Sequence, residues 1–379
     1  MESIQQTNRS FFALLLLPLS ILLALLISEL AVRFFIPQNT YVGGVDYFDK
    51  QLFDLKANYH GSFACTDYRY TITTDKNRMR QTKNYHYSSR PLSILILGDS
   101  FAFGMGVNDT ETLASVVSSN LHQSNIPALV SNAAVPGYTV TEEAAKYHVT
   151  KQVVYPDAVV VVSCFNDFSA TLPLNGRIEE SETKSLTASK PSRWSTLYPS
   201  MKRALLGHSQ LAVLLAKRFN QTLIAAGIRD AFRGVMAAYD PAVYTQNKSA
   251  IDNVETVLHN LYTELENDSV PVIFVYVPGL LEVDDRLWQT VKRKTPSLDR
   301  DLAHRHIVEA ARQAGFTTII SPLETASGKD SLRECYYPLD MHLNKKGHVF
   351  FGTLIAQTLR EILTKNQLTI HDLDTIQSF

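Results

Sequence analysis

Short runs of β-branched and other apolar residues recur along the chain at Ile94–Leu97, Ala128–Ser131, Ala158–Val162, Val270–Val277 and Thr317–Ile320, with amphipathic stretches between them. A run that is apolar at every position suits a strand covered on both faces. Alternation of such runs with helical periodicity is the pattern of βα units in a buried parallel sheet. The helical stretches fall at Thr112–Leu121, Glu142–Lys151, Ile251–Glu266, Leu302–Ala314 and Lys346–Ile362. Asn108 is placed to cap the first, with Glu111 positioned to reach back to it. The predicted fold is therefore α/β, a three-layer, doubly wound, parallel five-stranded sheet. A chain of 379 residues, 45% hydrophobic and 19% charged, is long enough to bury such a core.

From Phe11 to Ile27 the sequence FFALLLLPLSILLALLI carries no charge, and after Ser28 and Glu29 the apolar character resumes through Ile36. A helix crossing a bilayer needs roughly 17–25 such residues. Ser28-Glu29-Leu30-Ala31 lacks the small-x-small pattern of a cleavage site, so the segment reads as an uncleaved transmembrane anchor. Arg9 before the span and Arg33 after it leave the positive-inside signal balanced. An outer, periplasmic soluble domain is expected because a single N-terminal span ahead of a long globular region commonly inserts that way. The chain then divides into a tail and anchor over 1–37, a lead-in segment over 38–90, a main domain over 91–365 and a C-terminal tail over 366–379. Within the lead-in, Tyr68–Thr74 alternates with the period of an exposed strand. An insertion at about 168–249 interrupts the main domain, polar around Glu179–Ser192 and then helical in pattern at Leu205, Leu211, Leu214 and Leu215.

Thirty-six Lys and Arg against 37 Asp and Glu leave a formal charge of −1 with no basic stripe, so nucleic acid is not an expected partner. Cys65, Cys164 and Cys335 lie far apart, without the spacing of a zinc knuckle or redox pair. A Cys65–Cys335 disulfide stays open for an extracytoplasmic domain, and free thiols are the simpler reading. Gly104-Met105-Gly106 lacks the third glycine of a dinucleotide fingerprint, and no Gly-Lys-Ser/Thr follows a glycine-rich loop. No cofactor is expected. His304, His306 and His348 sit in helical segments and are read as packing or surface residues rather than metal ligands. The Gly-x-Ser-x-Gly elbow of α/β-hydrolases is absent.

In open α/β sheets, ligands sit beyond the carboxyl ends of the strands. Gly98-Asp99-Ser100 lies there, and Ser100 stands where a nucleophile would be. A serine hydroxyl needs a base, and the base needs a group to orient it. Asp340-Met341-His342 follows the fifth apolar run, and in an extended turn residues i and i+2 share a side, so Asp340 could hold one nitrogen of His342 while the other faces Ser100. Donors for a developing oxyanion are available at the Ser100 N–H, at Gly137 in Asn132-Ala133-Ala134-Val135-Pro136-Gly137-Tyr138, and at the Asn166 amide in Cys164-Phe165-Asn166-Asp167.

These blocks, GDSFAFG, NAAVPGY, CFND and DMHLN, occur in the order and at the strand ends that resemble the SGNH/GDSL hydrolase family. The resemblance spans Leu92 to about Leu363. It implies a flavodoxin-like sheet, Ser100 as nucleophile, His342 as base oriented by Asp340, and Ser100, Gly137 and Asn166 as oxyanion donors. In two places the chain departs from the family pattern. Cys164 stands where the third block usually has glycine, and there it reads as a small buried residue. The last block reads Asp-x-His rather than Asp-x-x-His, a spacing similar to that of the alginate O-acetyltransferase-like branch.

The first expectation is a serine esterase acting on O-acyl or O-acetyl groups of a glycan or lipid through an acyl-serine. The second is a membrane-tethered O-acyltransferase that passes the acyl group to envelope glycans. The third is a non-catalytic module that binds a glycan or a partner.

Overall fold

The computed structural model of the chain describes residues 2–36, 45–47, 53–64, 67–88, 90–168, 205, 208–225, 233–324, 329–338 and 340–376. In chain order the strands are β1 (Val45–Tyr47), β2 (Phe53–Leu55), β3 (His60–Ala64), β4 (Arg69–Thr73), β5 (Leu92–Gly98), β6 (Ala128–Asn132), β7 (Ala158–Cys164), β8 (Val272–Val277) and β9 (Ile319–Ile320). The helices used below are α1 (Glu2–Phe35), α2 (Ser100–Phe103), α3 (Leu113–Gln123), α4 (Val140–Val154), α5 (Gln210–Ala225), α6 (Lys248–Asn267), α7 (Leu302–Ala314) and α8 (Lys345–Ile376). The chain forms two compact units.

The larger unit is built on a five-stranded sheet in the order β6-β5-β7-β8-β9, parallel throughout. The predicted architecture is present because its strands are apolar on both faces. Every residue of β7, AVVVVSC, is buried, as are Ile94 to Leu97 of β5. Helices α3 and α8 pack together as one group, and α6 joins α4 and α7 in a second. The edges differ from expectation in detail. β9 starts at Ile319 rather than Thr317, and α8 continues to Ile376 through much of the segment read as a tail. Asn108 and Glu111 do form a box, with the Asn108 N–H donating to the Glu111 carboxylate at 3.1 Å. It closes a single turn at Asp109–Glu111, and α3 is capped instead by Thr112, whose hydroxyl accepts from Ser115 N at 3.2 Å.

Ahead of the sheet, β1 pairs with β2 and β3 with β4. The alternation read in Tyr68–Thr74 is real, but one face is covered, with Tyr70 and Ile72 buried. The lead-in is joined to the sheet unit by buried charges. Lys146 on α4 donates to both oxygens of Asp54, each at 2.7 Å. Arg80, 2% exposed, donates to the carbonyls of Phe103, Gly104 and Val107 at 2.8, 2.7 and 2.6 Å and to Asp109 at 3.0 Å. Arg80 N also donates to Asn132 O, and the Asn84 carboxamide both accepts from Val130 N and donates to Val130 O.

The smaller unit contains α1 and α5, which pack against each other. Leu16–Phe35 is a 20-residue stretch of mean hydropathy 2.0, with side chains such as Leu22 and Leu26 exposed, the length and apolarity of a membrane span. Its one acid is used internally. Glu29 accepts from the N–H groups of Gln210 and Leu211, both at 2.9 Å, and from Ser209 Oγ at 2.8 Å, so it satisfies the otherwise unpaired donors at the start of α5. Arg33 reaches both Glu29 and the His208 carbonyl at 2.7 Å.

Candidate active site

Each residue of the segment Gly98–Gly104 has a local reason to be what it is. Gly98 adopts φ +150°, and a Cβ there would lie 2.7 Å from the Val162 carbonyl, so the strand can turn only without a side chain. Asp99 caps the single turn of α2, accepting from Phe101 N at 2.8 Å. Ser100 follows, half-buried, and Gly104 at φ +92° ends the turn. The sheet thereby delivers a serine hydroxyl at the carboxyl edge of β5, next to the central strand.

His342 meets it there. Ser100 Oγ lies 2.8 Å from His342 Nε2, and His342 Nδ1 lies 2.5 Å from Asp340 Oδ1. With the carboxylate against Nδ1, the imidazole proton sits on that nitrogen and Nε2 accepts from the hydroxyl. The segment is not the extended turn expected from the sequence. Met341 has φ +67°, a left-handed conformation that is costly for a side-chain-bearing residue and brings Asp340 and His342 to the same side.

The loop holding that conformation is fixed by residues that sequence reasoning missed. Tyr337 N donates to His342 O at 2.9 Å, and Met341 N to Tyr337 O at 3.1 Å. Tyr337 Oη donates to the Gly106 carbonyl at 2.8 Å, tying the histidine loop to the serine loop. Tyr336 Oη donates to Pro278 O beyond β8. Asn344 donates to Glu334 O and Tyr336 O and accepts from Lys346 N and Gly347 N, so it closes the loop and caps α8 at once. An asparagine ahead of a helical pattern was a usable sequence signal. The tyrosines and Arg80 gave none.

The expected oxyanion donors lie in the loops that follow the strands flanking β5. Gly137 is exposed in the loop after β6 with φ +84°, and Asn166 is half-buried in the turn after β7. Beside them lies a cluster of buried acidic side chains. Asp99, Glu143 and Asp167 are all buried, and burial raises each carboxyl, with repulsion from neighbouring carboxylates adding to the rise at Glu143 and at Asp167, which is pushed up to about 8. Ser163 Oγ donates to Asp167 at 2.6 Å, and both Glu143 oxygens lack a hydrogen-bond partner among the described residues. Asp99, Cys164 and Asp167 bring possible metal-ligand atoms within 4.8 Å of one another. Their lone pairs are already shared with Phe101 N, Ser163 Oγ and Cys164 N, so the cluster reads as a proton-sharing network.

The histidines outside the site pack against their surroundings. His304 Nε2 lies 2.8 Å from Ser321 Oγ, and His306 lies against Tyr244. His348 is fully buried, accepts from Leu113 N at 3.2 Å, and is pushed down to about 3 by burial. Cys335 is a buried free thiol, and Cys65 lies outside the described residues.

No protein-family model and no curated protein sequence matches this chain. Solved structures that are similar to it include the psychrotrophic esterase EstA from Pseudoalteromonas, at 10% identity over 72% of this chain and 98% of that one, with a TM-score of 0.38. A lipase/acylhydrolase from Enterococcus faecalis is similar at 13% identity, covering 71% and 96%, with a TM-score of 0.39. An acetylxylan esterase from Geobacillus stearothermophilus, Axe2, is similar at 16% identity, covering 70% and 92%, with a TM-score of 0.37.

Proposed function

We infer that the chain is a serine esterase of the SGNH/GDSL type, acting on O-acyl or O-acetyl groups. The observation that carries this reading is the continuous chain Ser100–His342–Asp340, at 2.8 and 2.5 Å, on the carboxyl edge of the sheet. Ser100 Oγ attacks the ester carbonyl as His342 Nε2 takes its proton. Asp340 keeps the imidazole in the required tautomer and steadies its charge. The oxygen of the tetrahedral intermediate is received by Ser100 N–H, Gly137 N–H and the Asn166 amide. Collapse expels the alcohol, protonated by His342, and leaves an acyl-serine. Water activated by His342 then releases the acid.

A fluorophosphonate probe applied to the full chain tests this reading. Labelling is expected at Ser100 and is lost in Ser100→Ala and His342→Ala. Ester hydrolysis in Ser100→Ala falls by at least about 10⁴-fold with the fold intact. Turnover retained in that variant would overturn the mechanism.

The apolar helix α1 favours a second reading, in which the same acyl-serine is formed on a membrane-anchored domain outside the cytoplasm and the acyl group passes to an envelope glycan. Acetylated donor supplied with glycan separates the two. A transferase yields acylated sugar in excess of free acid. An esterase yields free acid alone. A reporter fused to the C-terminus reads the topology, and a cytoplasmic signal would defeat the extracytoplasmic placement.

A further inference from the structure

We propose that Cys164 is a positioning residue for the oxyanion side of the site, its thiol holding the Asn166 carboxamide with the oxygen turned inward and the NH2 turned toward the reacting carbonyl. The proposal rests on the esterase reading above.

Cys164 ends β7 and is completely buried. Its sulfur lies 2.6 Å from Asn166 Oδ1, 3.1 Å from Asp99 Oδ2 and 3.4 Å from Asp167 Oδ1, and the Asn166 backbone N–H also points at it. The two ends of a carboxamide differ in sign. An Asn166 held by its oxygen presents donors on the opposite side, whereas a flipped one would set an acceptor against a developing oxyanion and repel it. The nearest acceptor to the single S–H is Asn166 Oδ1, so the thiol selects the productive orientation. The same sulfur touches Asp99, whose Oδ2 lies 3.3 Å from Ser100 Oγ. One side chain therefore spans the caps of two neighbouring loops, the one carrying the nucleophile and the one carrying the amide. The role requires a protonated thiol. Burial and the adjacent Asp167 and Asp99 push its pKa well up, which keeps the donor in place and makes the sulfur unreactive. The glycine that usually occupies this place in the resembled family offers no such donor.

The test measures short-chain acyl-ester hydrolysis by the full chain, together with binding of a boronic-acid transition-state mimic. The variants are Cys164→Ser, which keeps a donor, and Cys164→Ala and Cys164→Val, which do not. Removing an oxyanion donor outright costs about 10²–10³-fold, and loss of its orientation should cost about tenfold in kcat with KM unchanged. Boronate affinity should fall in parallel, and Cys164→Ser should stay within about threefold of wild type. Adding Asn166→Ala to Cys164→Ala should give the rate of Asn166→Ala alone, because the thiol acts only through that amide. If Cys164→Ala does not fold, Cys164→Val fills the volume and carries the same expectation. A wild-type kcat in the donor-free variants, or an effect that multiplies with Asn166→Ala, overturns the proposal. A wild-type chain that neither hydrolyses esters nor takes up fluorophosphonate removes the esterase reading and this inference with it.

Discussion

The two halves of the site are held in different ways. Ser100 is delivered by the sheet: a buried strand, a glycine with no room for a Cβ, and a one-turn helix capped by Asp99 fix it through the backbone. His342 is delivered by a loop whose shape depends on side chains, namely Asn344, Tyr336 and Tyr337, around a left-handed Met341. The first half inherits the rigidity of the core. The second depends on a handful of hydrogen bonds that can be removed one at a time.

Arg80→Ala should have the largest effect, because it strips a buried cation from beneath the serine half and removes the guanidinium donors from the carbonyls of Phe103, Gly104 and Val107. A loss of about 3–5 kcal/mol is expected by chemical denaturation. A loss below 1 kcal/mol would show that the serine half stands on the sheet alone. Next is Asn344→Ala, which opens the histidine loop and uncaps α8 together. About 1–3 kcal/mol should be lost, with kcat and the rate of fluorophosphonate labelling at Ser100 falling together.

The pH dependence of stability probes both halves at once. Asp167 under the serine half and Glu282 under the histidine half are each raised to about 8 by burial. A carboxyl raised in the folded state keeps a proton that the unfolded chain releases, so its contribution is lost as pH climbs towards 8. His348, lowered to about 3 from 6.5, adds slope of the opposite sign only below about 6.5. Stability should therefore fall with rising pH from the ordinary carboxyl range up to about 8, most steeply between about pH 6.5 and 8, by up to ~1.4 kcal/mol per pH unit for each group, read as falling thermal midpoints. Glu282→Gln and Asp167→Asn should each flatten one part of that slope. A flat wild-type profile would refute the assignment.

The smallest effect is expected from Tyr337→Phe, which cuts only the tie between the two loops at Gly106. A cost of about 1 kcal/mol and a fewfold fall in kcat at unchanged KM would mark the tie as one of alignment.

What was legible in the sequence follows the same division. β5 and β7 could be read because their centres, Ile94–Leu97 and Ala158–Val162, are apolar at every position, and Gly98-Asp99-Ser100 because its residue types are dictated locally. Asp340 and His342 could be named from their spacing, but Met341 at φ +67° could not, since methionine carries no signal for that conformation. Arg80 stands in the polar lead-in segment, where nothing in the sequence sets it apart from its neighbours, and only the folded chain shows its donors converging on three carbonyls and Asp109. Glu29 looked like an interruption of an apolar run, and its partners lie some 180 positions further along the chain. Long-range side-chain pairing leaves no periodic trace.

The contacts of Arg80 and Asn84 with β6 also bear on solubility. β6 is an outer strand of the five-stranded sheet, with a row of backbone donors and acceptors facing away from β5. Arg80 N on Asn132 O, and Asn84 on both polar groups of Val130, cover that row with the chain's own lead-in. A fragment begun at Leu92 would present β6 as a bare template for pairing with another copy, and self-association rather than loss of the sheet would be its first defect.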